Sequence, residues 1–273
     1  MSKYINKHRI FFILFKFKNL VENIIGLKIQ LKNKNNFISR TVPEYRYIPI
    51  ANYLFEKGPL NLLEVGAHKG FLIDQFKNNI KNKNLSIYGI EPNTHCYNEI
   101  SKKFSSNKNI KLFNHALYDS DCELVLNITK YDNLSSILKP NALYTGAKGS
   151  AYDIDDALKV EQKMRIKAVT GDNFIEINQL SSVEILSLNT QGTEMKVLDG
   201  FKRSFSQKLI KSVMIEIDLS SRYESKYDLH DVESFMKNYD FYLHDINLIK
   251  NIMPTGIKML DVFYVHKSIY PKR

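Results

Sequence analysis

From residue 60 onward, short apolar runs that favour β-strands alternate with stretches of helical spacing. The runs are Leu60–Val65, Leu85–Ile90, Ile110–Leu117, Ile185–Leu188 and Val213–Ile217. A helix-like stretch follows each run except the third, after which another short strand candidate comes at residues 123–128. Strands that alternate with helices of this size form a largely parallel sheet covered on both faces. The sequence therefore predicts an α/β domain.

The end of the chain breaks this alternation. Phe241–Leu248 and Met259–His266 are two further strand candidates, and the stretch between them carries Pro254 and Gly256 with no helical pattern. Two strands joined in this way form an antiparallel hairpin at the edge of the sheet. A mostly parallel, seven-stranded sheet closed by such a hairpin is the Rossmann-like class I methyltransferase fold, whereas dinucleotide-binding half-folds lack the hairpin. We expect this domain to span residues 58–273.

Residues 130–161 stand apart from the alternation because they contain Pro140, Gly146 and Gly149 and show no clean period. Long irregular stretches inside a domain usually form lids or binding loops. We therefore expect a lid or substrate segment there.

Residues 1–57 precede the alternation and are predicted to form a helical arm. Residues 1–40 carry nine lysines and arginines against one glutamate, which leaves two of the ten net positive charges for the remainder. The arm contains apolar residues at roughly helical spacing, but Lys16, Lys18 and Glu22 interrupt them, so a membrane-spanning helix is not expected. Two alternatives stay open: a helix packed on the domain or on a second subunit as a homodimer, and a basic amphipathic helix on an anionic membrane surface.

The chain has two cysteines, Cys96 and Cys122, and neither lies in a sequence cluster typical of a zinc site. We therefore expect a reducing compartment and no metal. The expected location is cytoplasmic, with peripheral membrane contact if the arm binds lipid.

The first motif that carries chemistry is a glycine turn after a buried strand. Glu64 and Val65 lead into Gly66, and Gly70 opens a helix. Glycines at these places let a backbone approach a ligand closely. Glu91 ends the next strand, where an acid can accept the ribose hydroxyls of an adenosine.

An adenosine ligand could belong to NAD or to S-adenosylmethionine. The NAD fingerprint needs a third glycine so that a pyrophosphate can approach the helix N-terminus, and His68 occupies that position. S-adenosylmethionine has no phosphate, and Glu64 is placed to contact its methionine end. We therefore predict S-adenosylmethionine as the cofactor.

A longer set of motifs resembles the FkbM family of methyltransferases. Residues 185–194, with Val197, Leu198 and Gly200, resemble a strand ending in K-x-D-x-[EQ]-G-x-E followed by V-L-x-G. Further matching pieces, in the family's order, are Glu64–Gly70, Glu91–Asn93, Ala116–Asp119, Leu134–Leu138, Thr170–Asp172 and Ile215–Glu216. The resemblance implies an S-adenosylmethionine-dependent methyltransferase that methylates a hydroxyl, often on a saccharide or a related small metabolite.

Two residues depart from the family pattern. Ser187 stands where a lysine is common, and Asn189 stands where an aspartate is usual. An asparagine can hold a substrate hydroxyl but cannot act as a general base at neutral pH. The candidates for that role are Glu216, Glu194, Asp218, His68 and His115, and each has a structural alternative; Glu194, for example, could stabilise a helix N-terminus.

The predicted site residues fall into three groups. The catalytic group is Glu216, Glu194 and Asn189. The cofactor-binding group is Glu64, Gly66, Ala67, His68, Gly70, Glu91, Pro92, Asn93 and Ala116, and the substrate group is Ser135, Ser136 and Gln191.

Two other functions compete with a small-molecule methyltransferase. A nucleic-acid methyltransferase would account for the basic pI, but the domain is nearly neutral and lacks N-P-P-[YF] and Pro-Cys motifs, so no nucleic acid is expected as a partner. A catalytically degenerate binding module would account for Ser187 and Asn189. The expected partner is a glycan or small-molecule acceptor.

Overall fold

The computed structural model describes residues 43–141, 158–220, 222–224, 227–251 and 257–269. The strands of the central sheet are β1 (Leu60–Val65), β2 (Leu85–Ile90), β3 (Ile110–Phe113), β7 (Ile185–Leu188), β8 (Ser212–Asp218), β9 (Phe241–Asn251) and β10 (Ile257–His266). A second sheet contains β4 (Ala116–Tyr118), β5 (Cys122–Thr129) and β6 (Val160–Thr170). The helices are α1 (Pro43–Leu54), α2 (Phe71–Asn79), α3 (Thr94–Phe104), α4 (Gly171–Ile177), α5 (Glu194–Asp199), α6 (Lys202–Ser206) and α7 (Leu229–Asn238).

The central sheet has the strand order β3-β2-β1-β7-β8-β10-β9. Strands β3, β2, β1, β7 and β8 run parallel, and β10 pairs antiparallel with both β8 and β9. The predicted Rossmann-like class I methyltransferase fold, with its antiparallel C-terminal hairpin, is confirmed. The order reverses between β1 and β7, so the carboxyl ends of these neighbouring strands form the crevice where open α/β sheets bind ligands.

Both faces of the central sheet are buried, which explains why its middle strands are apolar throughout. Leu63 and Val65 of β1 face a core completed by α4 to α7, whereas Leu62 faces a core completed by α1 to α3. Parallel register places Leu62 beside Ile185 of β7, so the two strands share both cores. Burial on both faces removes most of the apolar surface of these strands from water and dominates their stability.

The prediction of one strand over Ile110–Leu117 is wrong. The strand is interrupted at residues 114–115: β3 stays in the central sheet, whereas β4 lies in the second sheet and pairs with β6. Asn114 holds the break because its Nδ2 donates to the carbonyl oxygen of Glu91 over 2.9 Å. Strand β6 was not predicted, although apolar and polar residues alternate along it at the period of a half-buried strand.

Residues 1–42, most of the predicted arm, lie outside the described residues, as do residues 142–157 of the predicted lid. The end of the predicted arm forms α1, which packs on the domain: Tyr47 and Ala51 are buried, and the Tyr47 ring stacks on Phe263 with centroids 5.2 Å apart. The domain as folded therefore includes α1. No helix in the part of the chain that the structure describes is long and apolar enough to cross a bilayer.

Candidate active site

Two turns meet at the carboxyl ends of β1 and β7. Gly66 has φ +91°, and a Cβ on it would lie 1.9 Å from the carbonyl oxygen of Asn189. Gly70 has φ +70°, and a Cβ there would lie 2.6 Å from the ring of Phe104. The expectation that these glycines let the backbone approach a ligand stays a prediction. Their missing side chains make room for the β7 turn and for α3, although Gly66 also lines the cavity beside it.

Glu91, at the end of β2, is a buried carboxylate held by the backbone. Its two oxygens accept the N–H groups of His68 and Asn93, over 2.7 and 2.8 Å. Burial raises the pKa of Glu91 to about 7, although both N–H groups oppose that rise. Each carboxylate oxygen can accept more than one hydrogen bond, so Glu91 keeps acceptor capacity toward the cavity that it lines.

The amides of the glycine turn distinguish between the two possible adenosine ligands. The N–H groups of Gly66 and Ala67 donate to Ile90, that of Gly70 donates to Ala67, and that of His68 donates to Glu91. A pyrophosphate site needs such amides to point at the phosphate. Because these four donate within the protein, the turn fits the phosphate-free S-adenosylmethionine better than a dinucleotide.

A cavity of about 300 Å³ extends from Glu91 to the end of β8. This volume lies at the lower end of the range for small-molecule sites. The predicted residues that line it are Gly66, His68, Glu91, Pro92, Asn93, Ala116, Ser135, Asn189, Gln191 and Glu216. A smaller cavity of about 150 Å³ shares Gly66, His68, Asn189 and Glu216 and adds Glu64 and Ala67. Gly70, Glu194 and Ser136 line neither cavity.

One wall of the larger cavity is a short segment after β5, residues 131–138, which we call the strap. Asp132 joins one end of the strap to the glycine turn, with His68 Nε2 at 3.0 Å and Lys69 Nζ at 2.8 Å. At the other end, Ser136 Oγ donates to the carbonyl oxygen of Gln191 over 2.8 Å. Of the two predicted substrate serines, Ser135 lines the cavity, whereas Ser136 joins the strap to the β7 turn.

The strap also brings together His68, Cys96 and Asp132, whose potential ligand atoms lie within 4.8 Å of one another. The sequence did not predict this cluster because its members are far apart in the chain. Asp132 already binds the Lys69 ammonium, and burial raises the pKa of the Cys96 thiol to about 12. A cation nearby and a protonated thiol both disfavour metal binding. We therefore interpret the cluster as a set of polar contacts that joins the strap to the glycine turn.

The far end of the larger cavity, here called the acceptor end, is formed by Asn189, Gln191, Glu216, Arg222 and Met259. Gln191 Nε2 donates to Asn189 Oδ1 over 2.6 Å and to Glu216 Oε1 over 3.2 Å. Burial raises the pKa of Glu216 to about 7, while the charge of Arg222 opposes that rise. A carboxyl with this pKa exchanges a proton readily near neutral pH, as a general base must.

Glu194 serves the turn rather than the cavity. Its side chain is fully buried and accepts the N–H groups of Thr190 and Gly192, over 2.7 and 3.0 Å. These bonds favour the structural alternative for Glu194, because both of its oxygens hold the turn that carries Asn189.

The remaining base candidates also have structural partners. Asp218 binds the buried Arg222, with Oδ2 and Nε 2.7 Å apart. Burial lowers the pKa of His115, whose Nδ1 lies 3.0 Å from a backbone carbonyl oxygen. His68 pairs with Asp132 of the strap. Glu216 is therefore the candidate base that the geometry supports best.

Three residues of the site were missed at the sequence level. Asp132 begins a single 3₁₀ turn, Asp132–Leu134, and Arg222 lies in a loop. The hydroxyl of the next residue, Tyr223, lies 2.8 Å from the Leu134 carbonyl oxygen and 3.2 Å from Gln191 Oε1. Their proximity depends on loop paths, for which a single sequence offers no periodic signal.

A model of the FkbM methyltransferase domain matches residues 64–243. The chain belongs to the FkbM methyltransferase family. The match begins at Glu64, just before the glycine turn, and includes Glu91, the strap, Asn189 and Glu216. The predicted family is thus confirmed, and with it the methyltransferase class and S-adenosylmethionine as its cofactor.

Among solved structures, an FkbM methyltransferase from Methylobacillus flagellatus KT is 13% identical over 75% of this chain, with a TM-score of 0.47. This chain spans 43% of that protein's length. Aeropyrum pernix fibrillarin with bound S-adenosyl-L-methionine is 11% identical, with a TM-score of 0.42 and coverage of 82% of this chain and 76% of that one. An Aquifex aeolicus methyltransferase is 11% identical, with a TM-score of 0.38 and coverage of 79% and 87%. No curated protein matches this chain.

Proposed function

We propose that this FkbM-family protein transfers a methyl group from S-adenosylmethionine to a hydroxyl of a saccharide or a related small metabolite. The observation that carries this proposal is the position of Glu216 beside Asn189 and Gln191, in the same cavity that begins at Glu91. The family's usual aspartate is replaced by Asn189, and Glu216 supplies a carboxylate next to it from the neighbouring strand β8.

When bound, S-adenosylmethionine supplies a methyl group on a sulfonium sulfur, which is already activated for displacement. The chain's own residues orient the acceptor and remove its proton. Asn189 and Gln191 offer amide groups that hold hydroxyls, and such positioning can contribute about 7–11 kcal/mol to catalysis. Glu216 would accept the proton of the acceptor hydroxyl, whose oxygen would receive the methyl group that the cofactor supplies.

This assignment predicts a specific pH dependence. The base acts as a carboxylate, and the pKa of Glu216 is about 7, so the ionised fraction rises about tenfold from pH 6 to pH 8. We expect the transfer rate to rise by about the same factor and to level off above pH 8. The Glu216→Gln variant should lose at least 100-fold in rate and should show no such rise.

Transfer of tritium from methyl-labelled S-adenosylmethionine to a panel of mono- and oligosaccharides tests the proposal. Glu224→Gln is the matched control, because Glu224 is an exposed acid near Glu216 in sequence that lines neither cavity. Labelling of a saccharide hydroxyl by the wild type and by Glu224→Gln, but not by Glu216→Gln, would support the proposal. Cofactor binding without transfer to any saccharide would favour the degenerate binding module instead.

A further inference from the structure

Arg222 is a buried cation in the wall of the acceptor end. Its residue surface is 8% exposed, yet it lines the cavity beside Glu216 and Met259. A buried guanidinium is costly unless partners satisfy its charge and its five N–H donors. Where those donors point therefore indicates what the cavity can bind.

The inner side of the guanidinium is well satisfied. Nε donates to Asp218 Oδ2 over 2.7 Å and to Ser220 Oγ over 3.2 Å. Asp218 in turn accepts the N–H of Ser220, so this side of the ion pair is fixed in place. An aspartate bound through Nε alone leaves the two terminal nitrogens of the guanidinium for other partners.

The outer side of the guanidinium is poorly satisfied by comparison. Nη2 lies 2.7 Å from the sulfur of Met259, and a thioether is a weak acceptor. Among the residues that the structure describes, no oxygen atom accepts a hydrogen bond from either terminal nitrogen of Arg222. The cavity wall thus presents strong, charged donors for which the described part of the chain supplies no oxygen partner.

We infer that Arg222 binds an anionic oxygen group of the methyl acceptor, a carboxylate or a phosphate, through the terminal nitrogens of its guanidinium. This inference rests on the proposed function and narrows its substrate class to acidic saccharides. The planar donors of arginine match the oxygens of these two groups, and charged hydrogen bonds are about twice as strong as neutral ones.

The acids around Arg222 are compatible with an anionic acceptor. Asp218 is paired with Arg222 on the inner side, and Glu216 is partly protonated near neutral pH because its pKa is about 7. An acceptor anion next to Arg222 would also weaken the effect of that cation on Glu216 and so strengthen the base. Substrate charge and proton removal are therefore coupled at this end of the cavity.

Binding of simple sugars to the full-length protein, saturated with S-adenosylhomocysteine, tests the inference. The probes are D-glucuronate for a carboxylate, D-glucose 6-phosphate for a phosphate and D-glucose as the neutral control, measured by saturation-transfer NMR. We expect at least one acidic probe to bind tenfold or more tightly than D-glucose. Arg222→Met should remove that preference, whereas Arg203→Met, which removes an exposed arginine elsewhere, should keep it.

Removal of Arg222 alone leaves Asp218 buried next to an apolar side chain and can impair folding. The Asp218→Asn/Arg222→Met double variant avoids this problem, and unchanged affinity for S-adenosylhomocysteine shows that it is folded. Equal binding of acidic and neutral probes, no binding of either acidic probe, or an acid preference that survives in the double variant would each overturn the inference. Failure of the wild type to bind S-adenosylhomocysteine would instead contradict the proposed function.

Discussion

At the scale of single residues, the site depends on two carboxyls whose burial raises their pKa values to about 7. Glu91 is held by two backbone N–H groups, and Glu216 is held by Gln191 and faces Arg222. Shifted carboxyls that line one cavity are typical of functional sites, because a stable core has no need of them. Burial of these groups in their charged form lowers the free energy of unfolding, and this cost can be measured.

Replacing Glu91 by glutamine should change how stability depends on pH. The pKa of Glu91 is higher in the folded state than its usual value of 4.5, so protonation stabilises the fold, and this contribution is lost as pH rises through about 7. The loss reaches at most about 3 kcal/mol. We expect the free energy of unfolding of the wild type, relative to Glu91→Gln, to fall by about 2–3 kcal/mol from pH 5 to pH 8.

Urea denaturation of both proteins without cofactor provides this comparison. The Glu91→Gln variant is needed as a reference because histidines with lowered pKa values change the free energy of unfolding with pH in the opposite direction. Burial lowers the pKa of His115, which therefore favours the folded state as pH rises. A difference between wild type and variant that stays constant over this pH range would contradict the assigned pKa.

At the scale of elements, the site is made by the contact between the turns after β1 and β7. That contact is so close that the backbone of Asn189 occupies the space of a Gly66 side chain. The position of Asn189 thus depends on Gly66 of the glycine turn. Through Gln191, the position of Glu216 depends on the same glycine.

Gly66→Ala and Gly58→Ala form a matched pair for this contact. Both glycines have positive φ, +91° and +85°, so alanine is strained in the backbone at either position by about 1–2 kcal/mol. A Cβ on Gly58 meets nothing within 4 Å, whereas a Cβ on Gly66 meets Asn189. We expect Gly66→Ala to lose at least 2 kcal/mol more stability than Gly58→Ala, or not to fold. Equal losses of unfolding free energy in urea denaturation would contradict the close contact between the two turns.

The sequence predicted those elements whose signal is local. Buried runs such as Ile185–Leu188 and the amphipathic Thr94–Phe104 have the bounds expected from their periods. The strand candidate at residues 123–128 is confirmed as β5 (Cys122–Thr129), but the second sheet was not predicted because β4 continues the apolar run of β3, and only a change of sheet, a tertiary event, divides them. Of the site, Glu91 follows a predicted strand and Glu216 lies near the end of another, whereas Arg222 lies in a loop.

At the scale of the whole molecule, the second sheet and the strap close the cavity that the central sheet opens. Leu126 of β5 and Ile137 of the strap line the cavity opposite the turns of β1 and β7, so neither sheet alone forms the site. The role of the basic arm stays a prediction, whether it packs on protein or binds an anionic membrane. Co-sedimentation of the full-length chain with anionic vesicles would distinguish the two.

We propose that this cavity binds S-adenosylmethionine and that the Glu91 carboxylate accepts hydrogen bonds from the ribose hydroxyls. Calorimetric titration with S-adenosylmethionine and S-adenosylhomocysteine tests both parts of this proposal. The proteins compared are the wild type, Glu91→Ala and Glu99→Ala, which removes an exposed acid as the control. Loss of two charged hydrogen bonds should weaken binding at least 50-fold. We expect micromolar binding to the wild type and to Glu99→Ala and a collapse of binding in Glu91→Ala. No binding to the wild type would rule out the cofactor site, and equal binding to all three proteins would rule out the role of Glu91.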